Sequence, residues 1–203
     1  MKVVIVDYGM GNVRSVASAL KFLNVTDIII SSDEKDLNTA DKLILPGVGA
    51  FGSAMEMIKA RGLDVALSEQ VTQRQKPVLG ICLGMQLLGI SSDEGGFTEG
   101  LSFIDGCVSV FDDEYVTVPH IGFNQVTPKS SSRLYKDMEN SLDFYFVHSH
   151  KMVSNSDIGQ SYCDYSGNFV ASFERDNIAG TQFHPELSKT NGLNVLKNFL
   201  ELF

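Results

Sequence analysis

KPVLGICLGMQLLG, residues 76–89, joins a short apolar run to a stretch of helical spacing through a cysteine flanked by glycines. A buried strand would end at Gly80-Ile81, with Cys82 next and Gly84 opening a helix, the G-x-C-x-G pattern of a nucleophile elbow. A sharp strand-to-helix turn needs glycines where backbones approach closely, and it lifts the central side chain to the carboxyl edge of the sheet. N–H groups at a helix start favour thiolate over thiol, as a cysteine nucleophile requires. The competing reading of Cys82 is a buried structural cysteine.

Outward from the elbow, VVIV at 3–6, III at 28–30 and LIL at 43–45 are runs of the same kind, alternating with segments of helical period. That alternation predicts βαβ units and a parallel sheet. Val13, Val16, Ala17, Leu20 and Leu23 form one helical stripe, and further helices are expected over 53–60 and 63–74. Leu193, Leu196, Leu200 and Phe203 repeat the stripe in a closing helix behind Gly192. From about 101 to 183 the pattern changes: SFIDGCVSVF, LDFYFVHS, NFVASF and NIAGTQF are strand candidates between Gly, Asn, Asp and Ser clusters, predicting a mixed or antiparallel region. SSDEGG at 91–96 and PKSSS at 128–132 read as loops rather than linkers, so residues 1–203 are read as a single α/β domain.

The 203 residues carry 16 basic and 25 acidic side chains, a formal charge of -9. An acidic balance argues against nucleic acid or an anionic membrane as partner, since both require clustered Lys and Arg. No run approaches the ~20 apolar residues of a membrane span. The opening MKVVIVDYGMGN is interrupted too early for a signal-peptide core. Cys82, Cys107 and Cys163 form no CxxC pair and read as reduced thiols, which places the chain in the cytoplasm. No HxxxH or CxxC spacing suggests a metal, and nothing calls for a cofactor.

Of the four histidines, His184 in TQFHPE is the strongest partner for Cys82. Pro185 stops a strand-like run, and Glu186 two residues on would fall on the same side of an extended backbone, where its carboxylate could orient the imidazole. Taken alone, HPE would more often be a surface turn. LILPGVGAF at 43–51 is another strand and Gly-rich turn, and in a parallel sheet it would neighbour the elbow. Backbone N–H groups near Val48 or Gly49 and at Leu83 could then face an oxyanion. A phosphate loop is the other possibility, but the Lys-Ser/Thr of a P-loop and the full GxGxxG spacing are missing.

Together, PGVG, GICLGMQLL and QFHPE resemble the class I, triad-type glutamine amidotransferases. YGMGN at 8–12, PGVGAFGSAM at 46–55, VPHIGFN at 118–124, YFVHS at 145–149 and QFHPELS at 182–188 narrow the resemblance to the branch formed by the glutaminase subunits of imidazole glycerol phosphate synthase. The resemblance implies the fold of that class, a mostly parallel central sheet flanked by helices. It implies glutamine hydrolysis with Cys82 as nucleophile, His184 as proton shuttle and Glu186 as its orienting carboxylate. Gln86 and Glu94 would hold the amino-acid end of glutamine, with His148 and Ser149 lining the pocket; an acidic loop residue is the plainer reading of Glu94. Ammonia would pass to a (β/α)₈ barrel cyclase, in a heterodimer serving histidine biosynthesis. The resemblance places Asn12, Pro119, His120, Gly122, Phe123 and Asn124 at that partner interface, against core packing of Ile121 and Phe123.

Relatives usually carry Trp where Phe123 stands and Lys or Arg where Leu187 stands, and His150 and Lys151 also depart from the pattern. These departures leave the triad intact but bear on the partner, so an amidotransferase acting on a nucleotide-linked or lipopolysaccharide sugar is the alternative recipient of ammonia. A cysteine hydrolase of similar fold is disfavoured by Leu83, where such proteins usually carry His. A non-catalytic binding module is disfavoured by the joint presence of Cys82, His184 and Glu186.

Overall fold

The computed structural model describes residues 1–111, 117–139, 141–165 and 167–203. The first half of the chain runs β1 (Lys2–Val6), α1 (Val13–Phe22), β2 (Asp27–Ser31), α2 (Glu34–Thr39), β3 (Lys42–Gly47), α3 (Phe51–Ala60), α4 (Leu63–Ser68), β4 (Val78–Cys82) and α5 (Leu83–Leu87). Its four strands lie parallel in the order β2-β1-β3-β4. β3 and β4 are buried along their whole length and β1 from Val3 to Val6, which explains why they are unbroken apolar runs and not alternating ones. α1 buries Val16, Ala17, Ala19 and Leu20, the expected stripe. The helix expected over 63–74 is α4 followed by a π turn at Glu69–Gln73, closed by Arg74 N–H donating to Glu69 C=O at 3.0 Å. The short α2 has no counterpart among the expected helices; Asp33 caps it by accepting from Lys35 N–H at 2.8 Å.

The second half runs β5 (Ser91–Ser92), β6 (Thr98–Glu99), β7 (Cys107–Val110), β8 (His120–Thr127), β9 (Asp143–His148), β10 (His150–Val153), β11 (Ser161–Asp164), β12 (Asn168–Arg175), β13 (Ile178–Thr181) and α6 (Lys189–Leu202). β13 joins the main sheet parallel to β4, and β12, β11, β8 and β9 continue it antiparallel. A smaller sheet has the order β10-β7-β5-β6 among the described residues. The architecture is therefore α/β with a large mixed sheet, its parallel half nearest the amino terminus. Helices cover both faces: α3, α4 and α5 pack in one apolar cluster, and α1 and α6 in another that extends over the antiparallel strands.

Three expectations change. In SFIDGCVSVF only Cys107–Val110 is strand, and Ser91–Ser92 inside the expected loop pairs with it. VPHIGFN, which was not among the strand candidates, supplies from His120 onward the start of the eight-residue β8, whose even-odd burial follows one solvent face. Gly192 lies inside α6, not before it, because a Cβ there would run into the backbone carbonyl of Pro185 and only glycine lets the helix approach that turn. Among the described residues no helix is long and apolar enough to cross a membrane.

Candidate active site

Strand register gathers the predicted residues. β3 and β4 align Gly47 with Cys82, and β4 and β13 align Ile81 with Thr181, so the PGVG turn, the elbow and the QFHPE segment leave the same sheet edge side by side. Cys82 holds φ +54°, a conformation costly for a residue with a side chain and typical of a functional turn. The flanking glycines are steric requirements: a Cβ on Gly80 would lie 2.7 Å from Met85 N, and one on Gly84 would overlap the Leu45 carbonyl of β3. α5 has only five residues, so its dipole is a smaller aid to the thiolate than a long helix would give.

His184 is 4% exposed at its side chain and Glu186 1%. Glu186 Oε1 lies 2.9 Å from His184 Nδ1, so Nδ1–H donates to the carboxylate and Nε2 is left for Cys82. Nε2 is buried with no hydrogen-bond partner among the described residues, and His184 lines the same cavity as Cys82. Burial works against the imidazolium, yet hydrogen bonding and negative charge from Cys82 and Glu186 outweigh it and hold the His184 pKa well above the usual value. The extended backbone expected between His184 and Glu186 is in fact a 3₁₀ turn at Pro185–Leu187. Ser188 pins this turn by donating to His184 C=O at 2.6 Å and accepting from Tyr145 N–H at 2.9 Å. The His184 N–H donates to Tyr145 C=O, tying the base to β9.

A cavity of about 340 Å³ opens over the sulfur, lined by Val48, Gly49, Cys82, Leu83, Gln86, Glu94, Pro119, Val147, His148, Ser149, His150 and His184. It brings together every residue named for catalysis, oxyanion binding and substrate binding except Glu186, which stands behind His184. A larger open groove of about 680 Å³ between Thr127 and Tyr162 contains none of them and no cysteine or histidine. Glu94 Oε2 accepts from Phe51 N–H at 2.8 Å, capping α3, and Oε1 lies 3.8 Å from His150 Nδ1. Gln86 donates to His150 C=O at 3.0 Å and to Gln182 Oε1 at 2.9 Å, which leaves only its Oε1 for a ligand. Burial pushes His148 down to about 3 against a hydrogen bond to His150 C=O, so it is a neutral wall and not a second base. Sequence reasoning missed Gln182 and Ser188. Gln182 had a signal available: it precedes His184 by two on a strand-like run and so shares its side.

The expected interface residues divide. Ile121 is 60% exposed and Phe123 48%, which excludes core packing for both. Gly122, with φ +134°, and Asn124, donating to Asp164 C=O at 3.1 Å, are half-buried on the same strand, and Asn12 is half-buried at the start of α1. Pro119 lines the cavity. His120 is a correction: it is 3% exposed, stacked between Phe146 and Tyr165 with centroids at 4.9 and 3.9 Å, and its Nδ1 lies 3.1 Å from His148 Nε2. It supports the cavity wall and offers no outer surface. Among the described residues no group of three His, Cys, Asp or Glu side chains is arranged for a metal.

The sequence profile described as "Glutamine amidotransferase class-I" matches residues 4–202. The chain is 46% identical over 203 residues to "Imidazole glycerol phosphate synthase subunit HisH" of Pectobacterium atrosepticum, covering 100% of both. It is 43% identical over 201 residues to "Imidazole glycerol phosphate synthase subunit HisH 1" of Campylobacter jejuni strain RM1221, covering 98% of this chain and 100% of the relative. Among solved structures, a protein described as a glutamine amidotransferase superposes with TM-score 0.74 at 16% identity, covering 100% of this chain and 98% of the other. A structure described as PurLQS from Thermotoga maritima superposes with TM-score 0.72 at 17% identity, covering 98% of this chain and 97% of the other. These two structures speak to the fold alone.

Proposed function

The chain belongs to the class-I glutamine amidotransferase family, in the branch of the HisH subunits, and from that premise we propose that Cys82, His184 and Glu186 hydrolyse glutamine in the cavity over the elbow. Its activity is that of the glutaminase subunit of imidazole glycerol phosphate synthase, in histidine biosynthesis. The observation that supports the residue roles is the convergence of an elbow cysteine, a buried imidazole and the carboxylate 2.9 Å behind it.

In this reading Cys82 gives its thiol proton to His184 Nε2 as Sγ attacks the side-chain amide carbon of glutamine, and the carbonyl oxygen takes up the negative charge. Backbone N–H groups of Leu83 and of the Val48-Gly49 turn receive it. His184 passes its proton to the departing nitrogen, which leaves as ammonia, and a thioester remains on Cys82. His184 then takes a proton from water, whose oxygen attacks the thioester; glutamate departs and the thiol is restored. Glu186 keeps Nδ1 protonated so that Nε2 is the nitrogen doing both transfers. Glu94 and the free Oε1 of Gln86 suit the ammonium of the bound amino acid, with Ser149 and the neutral His148 closing the pocket.

The ammonia recipient in this proposal is a (β/α)₈ barrel cyclase docked over Phe123 and the neighbouring strand surface in a cytoplasmic heterodimer. Glutamate formation by the chain alone, with that cyclase, and with its ribulosyl nucleotide added tests this. Strong stimulation by cyclase and ligand, lost in Cys82→Ala, supports it. Stimulation by a sugar amidotransferase in place of the cyclase would move the pathway and leave the chemistry.

A further inference from the structure

The backbone carbonyl of His150 sets the orientation of two buried amides in turn. A carbonyl can only accept, so the Gln86 atom 3.0 Å from it is the NH₂ group. The second hydrogen of that NH₂ points at Gln182 at 2.9 Å, which must therefore present its oxygen. The Gln182 NH₂ is then turned the other way, and it lies 3.7 Å from Cys82 Sγ, within reach of a sulfur acceptor. His148 Nδ1 also reaches the His150 carbonyl, at 2.8 Å, and so fixes the same anchor from the other side. Gln182 is fully buried and is not among the residues that line the cavity.

From this chain of donors and acceptors we infer that Gln182 is a fourth catalytic residue, donating a hydrogen bond to Cys82 Sγ that stabilises the thiolate. It deepens the glutaminase reading and rests on Cys82 being the nucleophile. A donor to the sulfur assists whenever charge gathers there: when Cys82 gives up its proton, and again when the thioester is cleaved and sulfur leaves. Gln86 acts through it as a positioning residue, since without the Gln86 amide the Gln182 side chain loses what keeps its NH₂ toward Cys82.

The test uses the full chain and iodoacetamide, with alkylation of each cysteine followed by peptide mass spectrometry in wild type, Gln182→Met and Gln86→Met. Methionine keeps the length and removes the donor. Cys82 in Gln182→Met is expected to react about tenfold more slowly at neutral pH, the scale of one hydrogen bond to a charged acceptor. In strong alkali, where every thiol is ionised, the rates should converge. Gln86→Met should move in the same direction by less, and it carries the test if Gln182→Met does not fold. Glutaminase kcat should fall in Gln182→Met with KM spared, because the amide never touches substrate. Equal rates at neutral pH, or slowing that persists unchanged in alkali, would overturn the inference and leave the glutaminase reading standing. Wild-type Cys82 reacting no faster than Cys107 would overturn both.

Discussion

Glu186 Oε1 sits 2.9 Å from His184 Nδ1 across a 3₁₀ turn whose backbone is held by Ser188 and approached closely by α6 at Gly192. The carboxylate is thus placed by the packing of the turn, and its removal affects the tautomer rather than the chemistry. Glu186→Gln should lower kcat by ~10⁴-fold, the loss seen when a triad carboxylate is neutralised. His184→Asn should fall to near the level of Cys82→Ala, because members of a triad act as a unit. Glutamate release in the stimulated complex, with unfolding midpoints alongside, checks both; wild-type rates in either variant would remove that residue from the triad.

Stability should fall on both sides of neutral pH for opposite reasons. His148 is held by burial at about 3 while its unfolded value is 6.5, so between these the unfolded chain binds the extra proton and stability is lost as pH falls. His184 is raised in the folded state, so its contribution is complete below its unfolded value and is lost as pH climbs through the raised one. His148→Gln is therefore expected to flatten the acid limb of urea midpoint against pH, and His184→Asn the alkaline limb. An unchanged acid limb in His148→Gln would mean other groups carry it.

The parallel half was legible because β1, β3 and β4 are buried on both faces and must be continuous apolar runs, while the elbow needs glycines for backbone clearance. β8 was not legible: one face is solvent, His120 is satisfied internally, and Gly122 interrupts the pattern at a positive φ. β10 and β11 are four residues each and carry polar side chains, and they pair with β7 and β8, strands that are remote in sequence. The His184–Glu186 pairing was expected from an extended backbone and is made by a turn, so the same contact arises from a different geometry. Gln182 was passed over because a lone glutamine looks like surface; its spacing of two from His184 was the one hint, and its burial beside Cys82 makes the role visible.

Two glycines separate clearance from strain. Gly84→Ala would drive a methyl into the Leu45 carbonyl inside the sheet, and should cost more than ~4 kcal/mol or abolish folding. Gly62→Ala meets open space and bears only the positive φ of +67°, for about 1–2 kcal/mol. Urea unfolding of the two variants distinguishes them; similar losses would mean that the elbow relaxes easily.

A glutamine-directed electrophile should label Cys82 and spare the other two thiols. Cys163 is 1% exposed, and burial with the nearby Asp164 charge raises it to about 12, so it has almost no thiolate at neutral pH. Cys107 is exposed but lies in the small sheet, outside the cavity. Peptide mapping after limited labelling reads this out, and even labelling of the three cysteines would argue against a specially activated Cys82.

The strand surface beyond the cavity yields the test of the partner proposal. β8 and β9 pair Ile121 with Val147 and Phe123 with Tyr145, and on this face Ile121, Phe123 and Val147 are 60%, 48% and 38% exposed. Lys189 Nζ lies 5.1 Å from the Phe123 ring centroid, holding the ring from one side and leaving its remaining surface to solvent. A contiguous apolar patch at the rim of the active-site cavity is where a recipient of ammonia would have to sit. Ile121→Asp buries a charge in any such interface, and should weaken cyclase binding by at least ~30-fold, about 2 kcal/mol, without lowering the unfolding midpoint. Val153→Asp, 45% exposed on the smaller sheet, is the matched control and should bind normally. Titration calorimetry of both variants against the cyclase decides the matter, and equal affinities would place the docking surface elsewhere on the chain.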